Sequence, residues 1–430
     1  MTPEQPGTID LYKKQRQVFT ALGAGITGSL VFLPLLTSFF SIFLFLYWAI
    51  LATKKFSSNQ NRLLLVLLFS SIYVLAIIGS FYSANTGEAL FRLQQKTPLA
   101  LFPLVFGTSV AMNKEVFHRI FISFVWFTLA GCLFCLGNGL MSYIQTGSTQ
   151  MLHGYQMIVL RDMSPFMLGL FCLLSAMYLL HTLFKNKFAA GKEKRVYLGV
   201  LIMLSVFLFV LGNRNVLFSW SVVITFFFLK NIAGRTVRIA FFVVLATAFA
   251  LTTLFNPSFH RQWKDLTDFS SSNSIQLDAD KSLGRTWGGK AIRLAIWTCS
   301  MDIIRDHWLT GVGTGDAQDS LQASYEKRQF YFASRYNAYN AHNQFIQETI
   351  AYGIAGFILF TACLLVPMFL FAQSANRQLY WLFLLSFFII CLTESILEIS
   401  KGIVFYSFFN SIFAFVPMNS DTSLQTKKRY

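Results

Sequence analysis

Apolar runs of about twenty residues recur along nearly the whole 430-residue chain, and no other feature restricts its fold as much. A chain that is 55% hydrophobic, 17% aromatic and only 13% charged lacks the polar surface to cover a soluble globule of this size. A hydrocarbon core about 30 Å thick is crossed by about 20 helical residues, so each run reads as a membrane crossing. We count twelve. The block from Val18 to Thr53 is too long for one helix and is divided at Pro34 into two spans. Further spans are expected at 62–82, 97–112, 117–140, 164–184, 196–211, 215–230, 236–255, 343–371, 379–395 and 402–417. The expected fold is therefore an all-α polytopic integral membrane protein.

Lysine and arginine orient that count, because short cytoplasmic loops are enriched in them. With twelve spans and both termini inside, twenty of the 35 basic residues fall in inner segments, and only Arg92, Lys96, Arg161, Arg214 and Lys401 fall in short outer loops. The expected division is an inner tail at 1–17, spans one to nine within 18–255, an outer loop at 256–341, spans ten to twelve within 342–417 and a second inner tail at 418–430. The net charge of +16 is then mostly a topology signal. Its scatter over separate short loops argues against nucleic acid as a partner. The polar start MTPEQPGTIDLYKKQRQ has no short apolar stretch ending at a small-residue cleavage site, so no cleaved signal peptide is expected.

The outer loop is the one stretch large enough for a domain, and its ten basic and nine acidic residues nearly balance. A Ser/Asn/Asp-rich connection opens it. Within GKAIRLAIWTCSMDIIRDHW, Ile292, Ile296, Trp297, Met301 and Ile304 recur at helical intervals, which predicts an amphipathic helix lying on the membrane or capping the bundle. GVGTG, at 311–315, ends that helix. A phosphate cradle is the sharper reading of its glycines, but it has no Walker lysine and no preceding buried strand.

Candidate chemistry rests on histidine and arginine, because no His/Cys cluster with ligand spacing is present. No metal and no cofactor is expected. Of the outer histidines His153, His260, His307 and His342, only His342, in AHNQFIQETIAYGIAG, sits where a polar loop meets a span. An imidazole there suits a general base; the plainer reading is a residue that helps start the helix. Arg214, in LGNRNVLFSW, lies in a tight hairpin at the outer membrane edge, where a guanidinium needs a partner and its planar fork suits a diphosphate. Snorkelling to lipid headgroups is the alternative. Arg285 and Arg293 are candidates only by their place in the loop beside His342. The pair in CLFC, Cys132 and Cys135, lies within a span and reads as helix packing.

These residues together resemble the bacterial O-antigen ligases and the related O-antigen polymerases and protein O-glycosyltransferases. RLAIWTCSMDIIRDHWLTGVGTG (293–315) is similar to the family's Arg-x-x-x-Trp helix ending in a Gly-x-Gly turn. HNQFIQETIAYGIAG (342–356) is similar to its His-Asn element followed by Gly-x-x-Gly, and GNRN to its arginine-bearing hairpin. The resemblance implies a bacterial inner-membrane enzyme of about twelve spans with a large periplasmic loop between spans nine and ten. It also implies metal-independent transfer of a glycan from undecaprenyl diphosphate to an acceptor hydroxyl, most simply ligation of O-antigen to lipid A-core. His342 would then be the base, and Arg214 with Arg293 or Arg285 would hold the diphosphate. The alternatives are a polymerase joining lipid-linked repeats and, from another class, a polysaccharide transporter or flippase; Glu394 and Glu398 near a span end are the closest approach to the latter.

Overall fold

The computed structural model describes residues 6–51, 60–109, 113–185, 191–231, 234–255, 289–370 and 377–421. Among them every regular element is a helix. In chain order these are α1 (Pro6–Phe32), α2 (Pro34–Ile50), α3 (Gln60–Phe81), α4 (Thr86–Lys96), α5 (Pro98–Thr108), α6 (Lys114–Thr146), the one-turn α7 (Gly154–Met157) and α8 (Pro165–Lys185). They continue with α9 (Lys192–Leu211), α10 (Arg214–Asn231), α11 (Arg235–Phe255), α12 (Gly289–His307), α13 (Ala317–Lys327), α14 (Gln344–Leu370), α15 (Arg377–Cys391) and α16 (Ser400–Asp421). Among the described residues six helices, α3, α6, α8, α9, α11 and α14, are long and apolar enough to cross a membrane, and α2, α15 and α16 are shorter apolar helices. The chain is thus a helical membrane protein.

Several boundaries follow directly from local chemistry. Leu33 leaves the helical region and Pro34 opens α2, as a proline without an amide hydrogen favours. The crossing expected at 97–112 takes another form. Pro98 breaks the helix there, leaving an 11-residue α5, about 17 Å long, behind the polar α4. Its far end rests on buried Arg62, whose guanidinium donates to the carbonyls of Gly107 and, at 3.3 Å each, Phe106 and Ser109, where a helix dipole favours a cation.

The core is aromatic. Buried α8 packs against α6 and α16, where Phe121, Phe124, Phe171, Phe405 and Phe409 meet ring on ring with centroids 4.7–6.3 Å apart. Cys132 and Cys135 are buried in this packing, and the Cys132 and Cys172 sulfurs touch at 3.3 Å as free thiols. In α11, by contrast, Thr252 is the one buried residue.

A second, smaller core joins α12 and α13 to the start of α14 and to Ala76 of α3. Its stripe on α12 matches the expected one in part, since Ile292, Trp297 and Ile304 pack against this core. Ala295, Ile296, Cys299, Ser300 and Ile303 are buried, whereas Met301 is 43% exposed. Small side chains let α12 approach its neighbours closely, so the buried stripe follows size as well as hydrophobicity.

GVGTG fastens this layer to the bundle. The Gly311 amide closes α12 on His307 O at 2.9 Å, and those of Val312 and Gly313 donate to Ile350 O and Ala351 O at 2.9 and 3.0 Å. The Thr314 amide reaches Gly79 O at 3.4 Å and that of Gly315 the Ser83 hydroxyl at 2.9 Å. All five amides are engaged within the protein, which favours a structural wedge over a phosphate cradle. The partner carbonyls are available because α14 breaks at Gly353 (φ 61°, ψ −149°), a conformation suited to glycine. A β-carbon there would lie 2.3 Å from Leu309 O, so the glycines of the wedge and of the helix permit one backbone to press against another.

Candidate functional site

Residues 341–344 enter α14 through a backbone held on both sides. Trp297 Nε1 donates to Ala341 O at 3.1 Å, and the Ala341 amide donates to Gln347 Oε1 at 3.0 Å. His342 itself sits in the left-handed region (φ 45°), unusual for a residue with a side chain. Helix capping falls to its neighbour. The Asn343 side-chain oxygen accepts from Ile346 N at 3.1 Å, and its amide group donates to Leu392 O at 3.0 Å. The imidazole is therefore free of the helix-starting task and turns towards the loop after α15.

There Glu394 joins two of the expected residues. Its carboxylate takes Arg293 Nη2 at 2.7 Å on one oxygen and lies 3.4 Å from His342 Nδ1 on the other. The Arg293, Glu394 and His342 side chains are 19%, 21% and 26% exposed, so the group is sheltered yet reachable. Arg293 Nε also donates to Thr393 O at 3.1 Å. The Tyr339 ring meets His342 edge-on, with centroids 5.3 Å apart.

Arg214 comes in from the hairpin between α9 and α10. Gly212 ends α9 in the left-handed region (φ 63°), Arg214 opens α10, and Asn215 Nδ2 ties the hairpin to Thr393 Oγ1 at 2.6 Å. A β-carbon on Gly289 would lie 3.2 Å from Arg214 Nη2 and 3.4 Å from Arg293 Nη1, so the two guanidinium groups flank one point. Glycine at 289 leaves that point open.

Both arginines line a cleft of ≈ 480 Å³ together with Lys290. Lys290, Arg293, Leu294 and Trp297 recur at helical spacing and present one face of α12 to it. Its remaining walls are largely apolar: Phe218 from α10, Phe249 from α11, Ile389 from α15 and Leu392 just beyond it. The cleft thus has a cationic side and an apolar side.

The structure brings together His342, Arg293 and Arg214; Arg285 and His260 lie outside the described residues. His307 ends α12 fourteen residues beyond Arg293, about 21 Å along the axis. His153 is held near the α9 end, where burial lowers its pKa. Among the described residues no group of three His, Cys, Asp or Glu side chains gathers to hold a metal ion. Lys290 and Glu394 are the members that sequence reasoning left out of the site. The signal for Glu394 was an acid in TESILE at the end of an apolar run.

Fold and site together define a multi-pass helical membrane protein with a cationic, half-apolar cleft at one end of its bundle. Residues 198–361 match the family model described as O-antigen ligase, and that segment belongs to the O-antigen ligase family. The match contains Arg214, Lys290, Arg293 and His342, while Glu394 lies beyond it. No curated protein matches the chain.

Proposed function

We propose that this protein transfers a glycan from a polyprenyl-diphosphate carrier to an acceptor hydroxyl, with O-antigen ligation to lipid A-core as the specific reaction. One observation carries the reading: His342 and Arg293 share Glu394 beside a cleft that Arg214 and Lys290 also line and whose other walls are largely apolar. A lipid diphosphate has that same division, an anionic head on an apolar chain.

In the proposed reaction Glu394 orients His342 through Nδ1, leaving Nε2 to take the proton of the acceptor hydroxyl. The acceptor oxygen then forms the new bond to the sugar's anomeric carbon. The bond from that carbon to the diphosphate oxygen breaks, and the leaving group keeps the electron pair. Arg214 and Arg293 stabilise the charge that develops on it, which fixed guanidinium groups in a sheltered site do well. In this reading the site end faces the periplasm, both termini are cytoplasmic, and the membrane is the bacterial inner membrane.

The test is reconstitution of the full chain in vesicles with an undecaprenyl-diphosphate-linked glycan and a lipid A-core acceptor. Transfer that persists with a chelator is expected. Elongation of the lipid-linked glycan without transfer to the core would instead identify a polymerase, and glycan movement across the bilayer without a new glycosidic bond would overturn the reading.

A further inference from the structure

At the same end of the bundle lies a charge cluster that the proposed reaction does not use. Lys96, at the end of α4, has a side chain only 4% exposed; its ammonium stands 3.3 Å from Glu398 Oε1 and 3.8 Å from Glu348 Oε1. It also donates to the Tyr352 hydroxyl at 3.3 Å. One turn earlier Arg92 pairs with Glu398 at 3.1 Å and Glu88 at 2.7 Å, and Gln95 donates to Glu398 O at 3.2 Å and the Ser400 hydroxyl at 3.1 Å. Burial works against the charge on Lys96, but Glu348 and Glu398 more than offset it and raise its pKa, so the cation persists.

These contacts converge on the segment that carries Glu394. Gln344 Oε1 accepts from Leu397 N at 2.8 Å while its amide group donates to Glu348 at 2.7 Å, and the Asn343 amide donates to the Ser395 hydroxyl at 3.1 Å. Ile396 and Leu397 are fully buried between these anchors. The two residues following His342 thus grip the segment from one side and α4 grips it from the other. Removing Lys96 takes from Glu348 and Glu398 the cation they share and leaves Glu398 to Arg92, which weakens the hold of α4 on the segment.

We infer that Lys96 is a positioning residue: through Glu398 it holds segment 392–398 in the register that places Glu394 between His342 and Arg293. This rests on the proposed transfer reaction for its effect on rate, but not for its effect on structure, so the two are measured separately on the same full-length preparations.

Hydrogen exchange over 392–401 is compared in wild type, Lys96→Met and Glu398→Gln, the last keeping size at the edge of the cluster in case Lys96→Met fails to fold. Exchange there is expected to quicken about tenfold or more in both variants, with α12 unchanged. In the transfer assay kcat is expected to fall about tenfold or more with donor KM within about threefold. In a Glu394→Gln background Lys96→Met should cost less than about threefold, because the group it positions is already disabled. Unchanged exchange over 392–401, or rate losses that multiply with those of Glu394→Gln, overturns the inference. A wild-type protein that transfers nothing overturns the function instead, and the exchange result still decides whether Lys96 holds the segment.

Discussion

Two sets of charged residues stand within a few residues of each other at one end of this bundle, and they differ in access rather than in kind. Arg214, Lys290 and Arg293 line an open cleft, and Arg293 shares Glu394 with His342. Lys96, Glu348 and Glu398 form a sealed cluster, with side chains 4%, 0% and 10% exposed, and Arg92 borders it. A charge beside an open cleft can turn to an incoming ligand, whereas a sealed one has its partners already and acts on the backbone they belong to. The segment 392–398 is where the two sets meet, since Glu394 pairs with Arg293 of the cleft and Glu398 with Lys96 of the cluster. Changes on the open side should therefore alter rate with the fold intact, and changes on the sealed side should alter the fold first.

The largest effect that would sharpen this contrast is on the open side. His342→Ala should lower kcat/KM for transfer by about 10²–10⁴-fold, the usual contribution of a general base. Asn343 caps α14, so the amount of folded protein in the membrane should not change. Gel filtration and the transfer assay on one preparation check both halves. Full activity in this variant would remove His342 from the chemistry. Loss of folded protein would break the contrast itself.

On the sealed side the matching experiment is Gly353→Ala. The new β-carbon meets Leu309 O at 2.3 Å and the backbone is left-handed there, so the wedge of GVGTG must withdraw. A non-glycine residue in such a conformation costs about 1–3 kcal/mol before the clash is counted. A lower unfolding temperature in detergent is expected, with donor KM unchanged in the fraction that remains folded. A donor KM that rises while stability holds would mean that the wedge shapes the cleft directly.

How much of this was legible beforehand depended on the range of the interaction. Period and length announced the long helices, and Pro34 its own break, because these are properties of consecutive residues. His342 and Arg214 stood out as polar residues at span ends and Arg293 by its place in the loop beside His342, and the fold brings them together. What sequence concealed was pairing across distance. Glu394 joins a histidine and an arginine 52 and 101 residues away, and Lys96 meets Glu348 and Glu398 from far along the chain. The α12 stripe was drawn incompletely for a related reason: Ala295 and Cys299 are buried because a neighbour comes close, and no count of large apolar residues registers that. The short α5 was concealed too, because Pro98 starts the helix at the head of the apolar run and the backbone leaves the helical region at Ser109, before that run ends.

A smaller effect separates fork from charge within the open set. Arg214→Lys keeps the cation but loses the planar pair of donors, and charge-assisted hydrogen bonds of that sort are worth about 1.5–3 kcal/mol. Donor KM should rise about tenfold, with the folded amount unchanged. Lys290→Met should raise it less, because a flexible ammonium at the same cleft offers a point charge rather than a fork. Equal effects of the two changes would show that the cleft senses net charge alone.

The smallest expected effect belongs to a pair that is neither open to the cleft nor sealed. Arg328, at the end of α13, holds Asp302 of α12 through two nitrogens, the second at 2.8 Å, and the side chains are 36% and 26% exposed. That hydrogen bonding, together with the guanidinium charge, lowers the Asp302 pKa despite the opposing effect of burial. A lowered folded-state pKa contributes stability above the unfolded value of about 3.9, and the contribution is lost as pH falls through the lower folded value. The gap in unfolding temperature between wild type and Asp302→Asn should thus be equal at pH 7 and pH 5 and close only in stronger acid. Its size should stay near or below about 1 kcal/mol, as for other partly exposed pairs. Should the gap already close between pH 7 and pH 5, a group other than Asp302 governs the α12–α13 contact, and access alone would no longer be enough to rank the charges of this layer.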